Sequence, residues 1–169
     1  MMENIYLIGF MGVGKSTVGK KLASKLAWQF VDTDTVFEEK YKLNINTFFN
    51  KYGEELYRKL ERDILLSTFS YDNCVVSTGG GLPCYLDAMD KINSKGISVY
   101  LEMNPDAIFS RLQNSKQKRP LVENKSEEDL KYFIKKKLNE RELCYSKATI
   151  IIPALSITVS SLLERIVSL

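Results

Sequence analysis

The chain has 169 residues, about the length of one domain, and 44% of them are hydrophobic and 27% charged, so we expect one compact domain over 1–169 rather than a disordered chain. Its net charge of +3 is too balanced for a protein that wraps nucleic acid, but it allows a local anion site. Histidine is absent, which excludes catalytic triads that use histidine and metal sites that histidine would ligate.

The three cysteines and the apolar runs argue against an exported or membrane-bound protein. Cys74, Cys84 and Cys144 form no CxxC pair and leave one thiol over in any pairing, so we expect reduced thiols rather than a disulfide framework or a zinc site. The N-terminal apolar run is short and follows an acidic residue, and no stretch reaches the roughly 18 apolar residues of a membrane span. We therefore predict a soluble, cytoplasmic monomer without membrane or nucleic-acid partners.

Short apolar runs alternate with longer amphipathic segments, which is typical of buried parallel strands covered by helices. The runs predict strands over 4–9, 28–32, 73–77, 97–101 and 149–152. Apolar residues at helical spacing lie between or after them: Val18, Leu22 and Leu26, then Leu56, Leu60 and Ile64, and finally Leu162, Leu163, Ile166 and Val167. The regular alternation of strand and helix predicts an α/β fold with a doubly wound parallel sheet.

The segment 114–126 breaks this pattern, because it has no apolar period, carries four Lys or Arg residues and contains a central proline. We interpret it as part of a mobile lid over about 112–125. An ordinary solvated connection is an equally open alternative.

Residues 9–16 read GFMGVGKS and match the G-x-x-x-x-G-K-[ST] pattern, with an apolar run before it and an amphipathic segment after it. Such a loop folds its backbone N–H groups around phosphate oxygens at a helix N-terminus. We assign nucleotide binding to Gly12, Val13, Gly14, Lys15, Ser16 and Thr17. In this pattern the lysine bridges the β- and γ-phosphates, and the serine hydroxyl is a Mg²⁺ ligand.

The second predicted strand ends in Asp32-Thr33-Asp34, at the edge where open parallel sheets bind ligands. Alternation along an extended segment would point both carboxylates the same way. One carboxylate can then bind Mg²⁺ through a water molecule, and the other carboxylate can accept a proton from an alcohol. A helix-capping role for either aspartate is the alternative.

The third predicted strand runs into Gly79, Gly80 and Gly81. Consecutive glycines cost backbone entropy, which close approach of a ligand would offset, although a plain flexible turn is the alternative. Arg58 lies four residues after Glu54 and three before Glu61. A helical ion pair would explain that spacing equally well.

Taken in order, these motifs resemble the shikimate kinase family over nearly the whole chain. They are GFMGVGKS at 9–16, VDTD at 31–34, YRKLE at 57–61, STGGG at 77–81, RP at 119–120, and an arginine and a tyrosine at 141 and 145. The resemblance implies a three-layer P-loop kinase fold with a five-stranded parallel sheet flanked by helices. It also implies ATP- and Mg²⁺-dependent phosphorylation of the 3-hydroxyl of shikimate, on the route to chorismate and aromatic amino acids.

Carried over residue by residue, the resemblance makes Asp34 the partner of the reacting hydroxyl, within an acceptor-binding helical region over about 34–62. It implies that Asp32 holds Mg²⁺ through water, that Arg111 lies near the adenine, and that Arg119 reaches the phosphates from the lid as a catalytic residue beside Lys15. Shikimate binding is implied for Arg58, Gly79, Gly80, Gly81 and Arg141.

Two other functions are weighed against this one. A gluconate- or nucleotide-type kinase shares the P-loop and a lid, but the two aspartates, the three glycines and Arg58 favour an acid with several hydroxyls over a nucleobase. A nucleotide-dependent switch of the GTPase kind would recognise guanine through an N-K-x-D motif. Neither NKYG at 50–53 nor NKSE at 124–127 supplies the aspartate of that motif.

Overall fold

A computed structural model describes residues 3–115 and 125–169. Within these ranges, five parallel strands form one sheet in the order β2-β3-β1-β4-β5. They are β1 (Asn4–Ile8), β2 (Gln29–Asp32), β3 (Cys74–Ser77), β4 (Gly96–Glu102) and β5 (Ile150–Pro153). The predicted α/β sheet is confirmed, with every strand end within one residue of its predicted position.

The described helices are α1 (Lys15–Leu26), α2 (Thr33–Tyr41), α3 (Ile45–Tyr52), α4 (Glu54–Thr68), α5 (Ala88–Lys95), α6 (Pro105–Gln113), α7 (Glu127–Tyr145) and α8 (Val159–Val167). The strict alternation of one helix with one strand is wrong, because α2, α3 and α4 all lie between β2 and β3. Positive φ angles at Lys42 and Gly53 end α2 and α3, and the Asn44 side chain caps the start of α3. These local breaks separate helices that hydrophobic periodicity alone would predict to be continuous.

The central strand β1 shows why the fold has three layers. All five of its residues are buried, and successive side chains point to opposite faces of the sheet. On one face Tyr6 packs in a cluster with Leu65 of α4 and Ile92 of α5. On the other face the side chain of Leu7 lies close to Gly19 of α1. Helices therefore cover both faces, which is why the strand is hydrophobic from Ile5 to Ile8.

Some residues of the predicted apolar helix faces are exposed rather than buried. On α4, Leu56 is 40% exposed, whereas Tyr57 and Glu61 are buried; α4 turns the Tyr57 side toward an aromatic cluster with Phe37 and Phe48. Val167 at the end of α8 is also exposed. Chain-end and helix-end positions have fewer neighbours, so an apolar residue there need not be covered.

The predicted lid begins too early, because α6 continues through Gln113 and residues 112–113 are therefore helical. The rest of the proposed lid, including Arg119 and Pro120, lies mainly in 116–124, outside the described residues. None of the helices in the described ranges combines the length and the apolar character that crossing a bilayer would require.

Candidate active site

The P-loop connects β1 to α1 at the carboxyl edge of the sheet. Gly12 and Gly14 have φ angles of 82° and 102°, a backbone region in which residues with a Cβ are disfavoured. Gly14 supplies no side-chain cap to α1, and the first turn of α1 contains no acidic residue. No side-chain cap and no first-turn carboxylate therefore faces the N–H groups at the N-terminus of α1, where the helix carries a partial positive charge. This helix end is suited to binding phosphate oxygens.

Lys15 lies inside this loop and is only 8% exposed. Its Nζ donates hydrogen bonds to the carbonyl oxygens of Gly9 and Phe10, at 2.8 Å each. The ammonium group is therefore held against the loop that precedes it, beside the start of α1. A fixed cation at this point can neutralise phosphate charge with little reorganisation.

Ser16 and Asp32, which were predicted to share a metal ion, are in direct contact. The Ser16 hydroxyl donates to Asp32 Oδ2 at 2.6 Å, and the Ser77 hydroxyl oxygen lies 3.5 Å from that of Ser16. The β2–β3 register pairs Asp32 with Ser77 and so brings these oxygens together. A carboxylate and hydroxyls are oxygen ligands of the kind that Mg²⁺ prefers, and few protein ligands suffice because Mg²⁺ also takes phosphate and water oxygens.

The argument used to orient Asp34 is wrong, although its predicted location is supported by the geometry. The extended segment ends at Asp32, whose Oδ1 accepts a 3.1 Å hydrogen bond from the backbone N–H of Asp34 and caps α2. Asp34 therefore lies in the first turn of a helix. Its Oδ1 is still only 2.9 Å from the point where a Cβ on Gly79 would lie, and the buried Thr33 hydroxyl accepts a hydrogen bond from the Gly79 N–H at 2.9 Å.

The three glycines after β3 each face a different charged group. A Cβ on Gly79 would collide with the carboxylates of Asp34 and Glu61. A Cβ on Gly80 would lie 3.4 Å from Arg141 Nη1, and one on Gly81 would lie 2.7 Å from Arg58 Nη2. None of the three has a positive φ. Missing side-chain volume, rather than turn flexibility, therefore explains this run, because the backbone lies directly against the charges.

Arg58 forms the helical ion pairs that its spacing from Glu54 and Glu61 allows, but its guanidinium is not on the surface. Its Nη1 lies 2.6 Å from Glu61 Oε2, and its Nε lies 3.4 Å from the exposed Glu54. Its guanidinium carbon is 5.1 Å from the centre of the Tyr57 ring. The Arg58 side chain is 15% exposed and points toward Gly81. The two acids on α4 thus hold the guanidinium at the glycine turn.

Glu61 is a site residue to which the sequence assigned no role. Its carboxylate accepts hydrogen bonds from the Tyr57 hydroxyl at 3.1 Å and from Arg58, and the residue is 1% exposed. The pKa of Glu61 is raised to about 7: burial is the largest cause, Arg58 lowers the pKa, and Asp34 raises it. The available signal was helical spacing, since Tyr57, Glu61 and Ile64 share one face of α4 and the other two are hydrophobic.

The raised pKa of Glu61 predicts a pH-dependent stability. Because the folded protein holds this proton more tightly than the unfolded chain does, the stabilisation is complete below the ordinary value of 4.5 and is lost as the pH rises through about 7. In urea unfolding across this range, we expect the free energy of unfolding to fall more steeply for the wild type than for Glu61→Gln. Glu54→Gln is the matched control, because Glu54 pairs with the same arginine but is exposed. Equal slopes for wild type and Glu61→Gln would contradict the prediction.

Arg141 reaches the same place from α7. Its guanidinium carbon lies 5.4 Å from the centre of the Phe10 ring in the P-loop, and it flanks Gly80. The buried Tyr145, one turn further along α7, donates a 2.5 Å hydrogen bond from its hydroxyl to the Gly80 carbonyl oxygen. The end of α7 is thus fixed to the glycine turn, which places two arginines distant in sequence on the same short backbone segment.

The remaining predicted residues divide into described and undescribed ones. Arg111 on α6 donates from Nη1 to the Val13 carbonyl oxygen at 3.0 Å, so it lies against the P-loop; its predicted role at the adenine stays a prediction. Thr17 is exposed in the first turn of α1, and its predicted role in nucleotide binding stays a prediction. Arg119 lies outside the described residues.

The fold and the site together define a P-loop kinase that acts on a small molecule. The chain belongs to the shikimate kinase family, whose family model, described as "Shikimate kinase", matches residues 11–169. A shikimate kinase of Azobacteroides pseudotrichonymphae genomovar. CFP2 is 41% identical over 166 residues, which cover 98% of each chain.

Two solved structures are similar over nearly their whole length. The crystal structure of a shikimate kinase from Bacteroides thetaiotaomicron is 37% identical with a TM-score of 0.93, and the match covers 100% of both chains. A shikimate kinase from Acinetobacter baumannii in complex with shikimate is 30% identical with a TM-score of 0.89, over 99% of this chain and 94% of that one.

Proposed function

We propose that this protein transfers the γ-phosphoryl group of ATP to the 3-hydroxyl of shikimate, giving shikimate 3-phosphate for chorismate and aromatic amino acid synthesis. The observation that carries the proposal is that one glycine turn lies against Asp34 at Gly79, Arg141 at Gly80 and Arg58 at Gly81. The Acinetobacter baumannii relative, solved with shikimate, supports this choice of acceptor. The proposal includes Mg²⁺ as cofactor and a monomeric, cytoplasmic enzyme.

The acceptor side fits an acid that carries several hydroxyls. Shikimate has one carboxylate and three hydroxyls, and a planar guanidinium can hold a carboxylate through two parallel hydrogen bonds. Arg58 and Arg141 supply two such groups. We assign the carboxylate to them and the reacting hydroxyl to Asp34, which lies against Gly79 at the start of the glycine turn.

The phosphate side works by positioning and charge neutralisation, since phosphoryl transfer needs little covalent chemistry from the protein. Lys15 and the N-terminus of α1 hold the phosphate oxygens. Ser16 and Asp32 would hold Mg²⁺, the aspartate through water, and the ion when bound neutralises charge on the phosphates. Asp34 orients the acceptor hydroxyl and accepts its proton as the oxygen attacks phosphorus. Arg119 is proposed to add a further cation over the phosphates.

The direct test is an ADP-release assay with Mg-ATP and, in separate reactions, shikimate, gluconate and nucleoside monophosphates. We expect turnover with shikimate and only background with the other acceptors. Turnover confined to gluconate or to a nucleotide would overturn the acceptor assignment and leave the P-loop assignment intact.

Loss of either arginine is expected to weaken acceptor binding. A charge-assisted contact is worth roughly 1.5–3 kcal/mol, so Arg58→Ala or Arg141→Ala should raise the KM for shikimate about 10- to 150-fold. Arg58→Lys should also be impaired, because lysine keeps the charge and loses the two-pronged geometry. The matched control is Arg62→Ala: Arg62 is also on α4 and ion-paired, but its partner is Asp87. Its KM should stay near the wild-type value.

A shikimate analogue with a neutral group in place of the carboxylate tests the contact itself. The wild type should bind this analogue poorly, and the Arg58 and Arg141 variants should lose little more. If the penalties of variant and analogue were fully additive, these arginines would not touch the carboxylate, and Arg58 would serve only the ion pairs within α4.

A further inference from the structure

Tyr57 lies one helical turn before Glu61 on α4 and carries a hydroxyl group to which the proposed function gives no role. The residue is 4% exposed, and its ring packs against those of Phe37 and Phe49, with both centroid distances at 4.9 Å. This aromatic cluster covers the ring but cannot satisfy the hydroxyl, and a buried hydroxyl without a partner is costly. The hydroxyl finds its partner in Glu61 Oε1, at 3.1 Å.

The Glu61 carboxylate is held through both of its oxygens. Oε1 accepts a hydrogen bond from the Tyr57 hydroxyl, and Oε2 accepts one from Arg58 Nη1 at 2.6 Å. Spacings of four and three residues along α4 bring these side chains together on the helix surface. Two contacts define the plane of a carboxylate, whereas a single contact leaves the group able to turn. The Tyr57 hydroxyl therefore determines how Glu61 presents its second oxygen to Arg58.

The Tyr57 proton also lies where two acidic groups approach each other. Glu61 Oε1 and Asp34 Oδ1 both crowd the point where a Cβ on Gly79 would be, Asp34 Oδ1 at 2.9 Å from it. Two carboxylates so placed oppose each other's ionisation. The hydrogen bond from Tyr57 favours the ionised form of Glu61 and so lowers the pKa of that carboxyl. Burial and the charges of Glu61 and Asp34 raise the pKa of Tyr57, so the phenol keeps its proton and remains the donor.

We propose that Tyr57 is a positioning residue of the acceptor site: its hydroxyl fixes the carboxylate of Glu61, which holds the Arg58 guanidinium against Gly81 for the carboxylate of the acceptor. This inference rests on the proposed function, because the acceptor's carboxylate is assigned there to Arg58. Glu61 contacts Nη1 of the guanidinium, whereas Nη2 lies 2.7 Å from the point where a Cβ on Gly81 would be. Nη2 therefore faces the turn where the acceptor would bind, and Tyr57 acts through Glu61 rather than by touching the substrate.

The first measurement uses no substrate and does not depend on the proposed function. Tyr57→Phe keeps the ring and removes only the hydroxyl. Without that donor the pKa of Glu61 should rise above about 7, so the loss of unfolding free energy with rising pH should occur at higher pH than in the wild type. Tyr6→Phe is the matched control, because Tyr6 is buried and its hydroxyl accepts a hydrogen bond from Thr68 instead; this variant should keep the wild-type pH range. An unchanged pH range in Tyr57→Phe would overturn the proposal.

The second measurement is kinetic and tests the step from Glu61 to the acceptor. In Tyr57→Phe the KM for shikimate should rise about 5-fold, the equivalent of one hydrogen bond of about 1 kcal/mol, while kcat and the KM for ATP stay near their wild-type values. Tyr6→Phe should leave all three unchanged.

A double-mutant cycle shows whether the hydroxyl acts through Glu61. In a Glu61→Gln background, Tyr57→Phe should raise the KM for shikimate little further. An unchanged KM in Tyr57→Phe, or a penalty fully additive with that of Glu61→Gln, would overturn the positioning role. A wild type that does not phosphorylate shikimate would instead overturn the proposed function, and the substrate-free measurement would still decide whether Tyr57 controls Glu61.

Discussion

Replacing Lys15 with alanine should lower turnover by about 10²- to 10³-fold or more, the usual cost of removing one preorganised charge-stabilising group from a transition state. Lys15 is nearly buried, and its Nζ is fixed by two carbonyl oxygens of the P-loop. That cation stands where phosphate charge would develop, and no solvent reorganisation is needed to use it. The readout is kcat from ADP release with saturating shikimate.

The controls separate lost chemistry from lost structure. Alanine also leaves the carbonyl groups of Gly9 and Phe10 without this donor, so circular dichroism and thermal unfolding must show that the variant is folded. Lys15→Met keeps most of the side-chain volume and should be as inactive as alanine. Lys21→Ala removes an exposed lysine from the same helix and should keep wild-type turnover. Activity near the wild-type level in a folded Lys15→Ala protein would contradict the P-loop assignment.

The parts of the site that the sequence predicts well are those determined by local pattern. The P-loop is a contiguous motif between a strand and a helix, so the positions of Lys15 and Ser16 follow from a few neighbouring residues. The strand ends are also local, because each apolar run stops at a polar residue, a glycine or, in β5, a proline. Asp32 and Ser77 then meet because parallel strands end at one edge of the sheet.

The parts that the sequence predicts poorly depend on packing between distant segments. Glu61 is buried because α4 lies against the Gly79 backbone. Helical spacing places Glu61 on the same face of α4 as Tyr57 and Ile64, but it does not show which segment that face contacts. Asp34 was placed at the correct edge by an argument from strand alternation that fails, because α2 begins one residue earlier.

Asp34→Asn should lower kcat by about 10²- to 10⁴-fold, the contribution typical of a positioned general base. Asparagine keeps the size of the side chain but cannot take up the proton of the acceptor hydroxyl. The chain has no histidine, so a carboxylate is the natural proton acceptor at this edge. The KM for shikimate should change much less than kcat, because the proposed site assigns the substrate carboxylate to Arg58 and Arg141.

A matched pair of variants tests whether the two aspartates have separate roles, Asp32 at the metal ion and Asp34 at the acceptor hydroxyl. Asp32 contacts the Ser16 hydroxyl, so Asp32→Asn should shift the Mg²⁺ concentration needed for half-maximal activity, and Asp34→Asn should leave that concentration unchanged. Asp34 also raises the pKa of Glu61, so Asp34→Asn should lower the pH at which the stability change of Glu61 occurs, a shift that Asp32→Asn should not reproduce. Identical Mg²⁺ titrations for the two variants would refute the division, because both carboxylates would then act on the metal ion and neither would be reserved for the hydroxyl.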